Sequence, residues 1–269
     1  WFNADGWVAN YNDILEKLPL LITTSNCFKS TYVRDGLSGK NISVCGIGFN
    51  PEIFYSRERK DSEITEVRKK LGIDDDEIMI LTAGGDVTSK GAQEMFQALV
   101  KIGEKFSNWK YVLKVWPSFS ADDHGKEERE LIEKLELDEN KFIYLKDILT
   151  PKLMARLINA CDIYAAPSRL EGFGMIQLEA MACGKPVVSI NVGGPRDSIV
   201  HGKTGFLVDV EHEIKLDREW VYPSMGFKEK MMIEFPRPKT FAYRANIEQL
   251  AECALKLMSD KNLREEMGK

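Results

Sequence analysis

Between residues 78 and 208 the chain alternates short apolar runs with segments whose apolar residues recur at helical spacing. That alternation is the pattern of repeated βαβ units, and it commits the chain to a parallel sheet covered by helices on both faces. Strands are expected at 78–83, 111–116, 142–145, 162–166, 186–190 and 205–208. A helix with Ser89 as its expected N-cap places Met95, Phe96, Leu99, Ile102 and Phe106 on one stripe. Another opens on Thr150-Pro151 as N-cap and first helical residue, and is expected to turn Leu153, Met154, Leu157 and Ile158 inward. The expected fold class is α/β with a doubly wound parallel sheet.

Upstream, 20–24 reads as a strand, 26–35 as a short helix and 41–44 as a second strand, before the sharp bend at Gly46-Ile47-Gly48. The charged stretch 55–70 reads as a boundary, which divides the chain into 1–50 and 51–269. Residues 209–243 break the βα rhythm with a concentration of aromatic and Met side chains that has no clear period, and they read as an insertion. Two readings of it stay open: a surface elaboration folded back on the domain, or a docking surface anchored by Trp220, Tyr222, Phe227 and Phe235. The chain begins on Trp1 in what reads as the middle of a fold, so a fragment is expected.

Composition excludes several classes. The 37 basic and 42 acidic residues leave a net charge of −5 with no Lys/Arg-rich run, unlike a protein whose affinity rests on neutralising nucleic-acid phosphates. No apolar run approaches the ~20 residues needed to cross a bilayer. Five scattered cysteines, none in a C-x-x-C pair, give neither a disulfide framework nor a zinc site and fit a reducing cytoplasm. Three histidines give little material for a triad or a metal cluster.

In an open α/β sheet ligands bind beyond the carboxyl ends of the strands, so the loops that follow strands carry the chemistry. After the 78–83 strand comes Gly84-Gly85-Asp86-Val87-Thr88-Ser89-Lys90-Gly91. Free amides, a helix start and a lysine suit a phosphate. The spacing matches neither the dinucleotide nor the P-loop pattern, and a plain tight turn stays open. After 162–166 comes Pro167-Ser168-Arg169-Leu170-Glu171-Gly172-Phe173-Gly174, then a helix in which only Gln177 and Glu179 are polar. A carboxylate on so apolar a helix needs a donor, either a base such as Lys185, a backbone amide or a pair of ligand hydroxyls. Glu171 reads as a first-turn acid or as a ligand contact beside glycines that admit close approach.

The run from Glu171 to Val188, with its two glutamates eight positions apart, resembles the donor-site signature of the retaining glycosyltransferases of family four. Asp162–Ser168, Val192-Gly193-Gly194 and His201–Val208 continue the likeness, which extends over roughly 20–55, 78–208 and 244–268. The resemblance implies a GT-B fold of two Rossmann-like halves, of which 51–269 would be the nucleotide-sugar-binding half and 1–50 a remnant of the acceptor half with its hinge. It implies sugar transfer with retention, with Glu171 and Lys90 as catalytic residues and no protein nucleophile nominated. The donor would be held by Gly84, Gly85, Lys90, Arg169, Glu171, Gly172, Phe173, Gly174, Met175 and Glu179. Glu179 would meet the ribose, Glu171 the sugar, and Lys90 the diphosphate. No cofactor or metal is expected, the nucleotide-sugar being a substrate. The acceptor is a sugar, lipid or protein, no nucleic acid is involved, and peripheral membrane association stays open. Three departures stand out. Gly85-Asp86 occupies the place where the family carries a second phosphate-binding arginine, for which Arg169 or Lys114 are substitutes. Asp197 replaces a usual glutamate, and the 209–243 connection is long. A nucleotide-sugar binder without turnover, or a GT-B phosphorylase or synthase, would use the same pocket.

Overall fold

The computed structural model describes residues 2–3, 6–7, 11–34, 36–116 and 119–269. After a two-residue antiparallel pair (Phe2–Asn3 with Gly6–Trp7) and a short helix (Asn12–Leu15) come two short parallel strands, β1 (Leu21–Thr23) and β2 (Ile42–Val44), joined through α1 (Asn26–Arg34). Helix α2 (Ser62–Lys70) leads into the main sheet of β3 (Ile78–Ala83), β4 (Trp109–Lys114), β5 (Phe142–Leu145), β6 (Ile163–Ala166), β7 (Val187–Ile190) and β8 (Gly205–Val208). Between these strands lie α3 (Ala92–Gly103), α4 (Phe119–Lys134), α5 (Pro151–Ala160) and α6 (Met175–Ala182). All pairings in this sheet are parallel, in the order β8-β7-β6-β3-β4-β5. The chain enters at the middle, winds to one edge through β5, and returns on the other side with β6. The carboxyl ends of β3 and β6 therefore lie side by side while their loops diverge, which is the doubly wound switch point.

Strand alternation sorts the core into two layers. Ile80, Tyr111 and Leu113 face Phe96 and Leu99 of α3, whereas Met79, Leu81 and Val112 face Ile64 of α2 and Leu157 and Ile158 of α5. Thr150 caps α5 with Pro151 in its first turn, as the sequence implies. Leu153, expected to turn inward, is 42% exposed, because the buried face of α5 runs through Ala155, Leu157 and Ile158. The β4 strand also runs two residues earlier than the hydrophobic run indicates.

The charged stretch before the sheet is fastened to it. Asp61 caps α2, and the helix buries Ile64 and Arg68 one turn apart. The Arg68 guanidinium donates to the carbonyls of Ala160 (3.0 Å), Asp74 (2.8 Å) and Glu77 (2.7 Å) and pairs with Asp162 at 3.3 Å.

Residues beyond β8 do have strand structure. β9 (Val210–Val221) and β10 (Met231–Ala245) form an antiparallel ribbon, followed by α7 (Ile247–Ser259) and α8 (Lys261–Met267). Water reaches both faces of most of a two-stranded ribbon, so little hydrophobic alternation is required. Register shifts, one of them between Leu216 and Arg218, break what there is. At the tip, Val221 and Met225 are buried under Phe227, Phe235 and Tyr11, and the Tyr11 hydroxyl donates to the Ser224 carbonyl at 3.1 Å. Phe227 and Phe235 are thus engaged within the chain, while Trp220 and Tyr222 remain exposed with the Lys230 ammonium over both rings.

Removing the Arg68 guanidinium takes a donor from three carbonyls and leaves Asp162 with Arg59 and the Met79 N–H, so Arg68→Ala should cost about 2–3 kcal/mol in urea unfolding. Lys70→Ala on the exposed side of α2 should stay within about 0.5 kcal/mol.

Candidate functional site at the sheet switch point

The loops after β3 and β6 are locked to one another. Arg169 donates its backbone N–H to the Ser89 carbonyl at 2.9 Å, and the Tyr164 hydroxyl donates to the Ala83 carbonyl at 3.2 Å. The N-cap of α3 is Gly91 rather than Ser89, because residues 86–91 close as successive tight turns with the Ser89 hydroxyl donating back to the Asp86 carbonyl. Gly91 has φ +86, and a Cβ there would lie 2.3 Å from the Pro167 carbonyl oxygen, so only glycine lets the loops meet.

This lock brings the Lys90 ammonium to 2.5 Å from the Glu171 carboxylate. Both line a cavity of about 660 Å³ with Gly84, Gly85, the Gly172–Met175 turn and Glu179. Helix α6 starts from Gly174 with no side-chain cap, so the amides of its first turn border that cavity without a resident acceptor side chain. The backbone of Gly172 passes so close to Phe28 that a Cβ would sit 2.3 Å from the ring, which seats α1 against the site. A second, more apolar cavity of about 470 Å³ adjoins the first and shares Ala83, Gly84, Trp116, Met175, Ile176 and Glu179 with it. Glu179 therefore stands where the two arms join. Among the described residues no donor is bonded to it, and burial holds its pKa above the ordinary glutamate value.

Of the residues singled out in the sequence, Gly84, Gly85, Lys90, Glu171, Gly172, Phe173, Gly174, Met175 and Glu179 come together in these arms. Arg169 does not. Its Nε donates to Glu94 at 3.0 Å and its Nη2 to Gln93 at 2.8 Å, and it lines a separate polar cleft. Glu94 is 2% exposed and also takes Arg244 at the base of β10, at 3.1 Å. The other substitute, Lys114, lies in the apolar arm.

Residues 63–219 match the glycosyl transferases group 1. The chain belongs to that family. Over 148 residues, 55% of this chain, this member of the group is 34% identical to a D-inositol 3-phosphate glycosyltransferase of Pseudarthrobacter chlorophenolicus, and the match covers 34% of that protein. Over 203 residues it is 28% identical to the capsular polysaccharide biosynthesis glycosyltransferase CapM of Staphylococcus aureus, covering 73% of this chain and 51% of CapM. The chain thus spans about half or less of the length of these relatives. Among solved structures it resembles HepE of Anabaena, crystallised with UDP and glucose, with a TM-score of 0.73 at 21% identity over 96% of this chain and 58% of HepE. It also resembles WaaG, a glycosyltransferase involved in lipopolysaccharide biosynthesis, with a TM-score of 0.68 at 18% identity over 92% of this chain and 56% of WaaG. These likenesses identify the fold as Rossmann-like and of the GT-B kind.

Three features around this site were given no structural role by the sequence. Trp116, 65% exposed, ends the β4 run beside both arms, and only the end of a strand at the switch edge signals it. Asp197, read as a weakened family position, accepts the Asn26 backbone N–H at 2.6 Å and so receives the N-terminus of α1, which favours a negative charge. The Glu94 network has no local signal, since its three members lie on α3, the β6 loop and β10. Among the described residues no group of His, Cys, Asp or Glu is arranged to hold a metal ion, and no helix is long and apolar enough to cross a membrane.

Glu94→Ala would leave the Arg169 and Arg244 guanidiniums facing each other, partly buried, without a counter-charge. A loss of about 3 kcal/mol in urea unfolding is expected. Arg244→Ala, which leaves the Glu94–Arg169 pair in place, should cost less in the same measurement.

Proposed function

We propose that the chain is the donor-binding half of a retaining family-four glycosyltransferase, which moves a sugar from a nucleoside-diphosphate sugar to an acceptor. The observation that supports it most is the meeting of Lys90 and Glu171 in one cavity with Glu179, a carboxylate lacking a donor among the described residues. The apolar arm takes the nucleoside, Glu179 accepts from both ribose hydroxyls, and the diphosphate lies along the Gly84-Gly85 turn towards Lys90 and the start of α6. There Glu171 exchanges its Lys90 partner for hydroxyls of the sugar.

As the bond between the sugar and the diphosphate breaks, negative charge grows on the leaving phosphate. An ammonium already fixed beside it stabilises that charge without reorganisation. Lys90 and the α6 N-terminus are assigned that electrostatic role, so the reading requires no metal for binding. The acceptor is a sugar, lipid or protein presented from the opposite side of the cleft. The UDP found with HepE makes uridine diphosphate the first donor nucleotide to examine. The reading places the activity in the cytoplasm, where nucleotide-sugars and free thiols coexist with the chain's unpaired cysteines.

Calorimetric titration of the 269-residue chain with UDP and with uridine tests this directly. Lys90→Ala should weaken UDP about tenfold or more, in line with roughly 1.5–3 kcal/mol for a charged hydrogen bond, and leave uridine unchanged. Glu179→Ala should weaken both ligands. Glu171→Gln should strengthen free UDP, since it releases Lys90 and removes a negative charge beside the phosphates. Equal losses for UDP and uridine on Lys90→Ala would contradict the assignment.

A further inference from the structure

Among the described residues the apolar arm contains one cation, and the fold does not require it. On β4, Trp109, Tyr111 and Leu113 pack into the layer beneath α3, while Val112 packs into the opposite layer. Alternation puts Lys114 on the Val112 face, the side on which Phe54, Leu149 and Met154 line the cavity. Lys114 is 6% exposed. Its ammonium donates to the neighbouring Val115 carbonyl at 2.6 Å, which uses one of its three N–H groups. Among the described residues no carboxylate forms an ion pair with it; burial pushes its pKa down, and the charge of Asp147, which makes no ion pair with it, only partly opposes this.

A buried ammonium with spare donors is costly, and a branched aliphatic residue would complete this strand end more cheaply. The missing acceptor is therefore one that arrives with a ligand. Among the described residues, Lys114 and Glu179 are the ionisable ones lining this arm, and the other walls are largely apolar, including Phe49, Ile53 and Ile176. Such a slot fits a planar heterocycle rather than a diphosphate. The cation at the other arm is Lys90, and Lys114 does not line that arm.

We propose that Lys114 selects the nucleobase of the donor, donating to a ring carbonyl of a keto base, uracil or guanine, and disfavouring adenine. This rests on the reading of the site as one for a nucleoside diphosphate. Adenine has no carbonyl, so it would leave a buried donor without its partner, and a site built around such a donor discriminates strongly against ligands lacking the acceptor. Glu179 contributes nothing to this choice, because every ribonucleotide offers it the same ribose.

The test is calorimetry of the 269-residue chain with UDP, GDP and ADP, with uridine measured by competition. Wild type should prefer UDP or GDP over ADP by about tenfold or more, the fold-change that leaving one buried donor unpaired corresponds to. In Lys114→Met the preferred nucleotide should lose about that factor, ADP should change little, and thermal stability should hold or rise as a buried charge is removed. If UDP is the preferred nucleotide, uridine should lose the same factor as UDP. Lys114→Gln, which keeps a neutral donor and a polar head, should retain part of the preference and serves if the Met variant folds poorly. An unchanged preference in both variants would overturn the proposal. So would a loss for UDP with none for uridine, which would put Lys114 on the diphosphate. Equal binding of UDP, GDP and ADP, with Lys90→Ala weakening all three, would overturn base selection and leave the diphosphate reading standing. No binding of any of them would overturn both.

Discussion

The site depends on a backbone constraint at the switch point. Because β3 and β6 are neighbours in the sheet but not in the chain, their loops would leave in different directions. Instead Gly91 lies against the Pro167 carbonyl and Arg169 bonds to Ser89, so the two loops behave as one piece. Opposite charges are carried on the two sides of that piece. Lys90 and Glu171 neutralise each other, which spares both the cost of standing unpaired in a half-buried cavity. In the proposed function a diphosphate-sugar would replace that pair by two interactions, phosphate with ammonium and hydroxyl with carboxylate. The loops need not move, only the side chains.

The same piece is braced from behind. Arg169 sits two residues before Glu171, and Glu94 lies in the first turn of the helix that Lys90 precedes. Their ion pair therefore joins the two loops a second time, on the face away from the cavity, and Arg244 ties the base of the β9–β10 ribbon into it. The far end of the ribbon packs on Tyr11. A long insertion thus connects the rear of these loops with the segment upstream of the main sheet, where Phe28 and Asn26 already touch Gly172 and Asp197. The arginine that the sequence offered as a phosphate ligand serves the scaffold.

What was legible in the sequence follows from the range of the forces involved. The six strands and the Thr150-Pro151 helix start could be read because alternation and capping are local, and each is determined within a few residues. Glu179 could be singled out because a carboxylate on an apolar helix is costly wherever the helix sits. Three things were not legible. The ribbon has water on both faces, so no hydrophobic period marks its strands. Ser89 looks like a cap, but the close approach of Pro167, distant in sequence, requires Gly91 there instead. Arg169 was assigned by adjacency to Glu171, whereas its direction is decided by Glu94 and Arg244, 75 residues on either side of it.

The central claim is that the Lys90–Glu171 pair opens around the donor diphosphate while the loops stay fixed. A crystal structure of the chain with UDP tests it most directly. The account predicts the Lys90 ammonium within hydrogen-bond distance of a diphosphate oxygen, both ribose hydroxyls on Glu179, and the Arg169–Ser89 backbone bond unchanged. UDP bound with the Lys90–Glu171 pair intact, or a diphosphate lodged elsewhere on the chain, would contradict it.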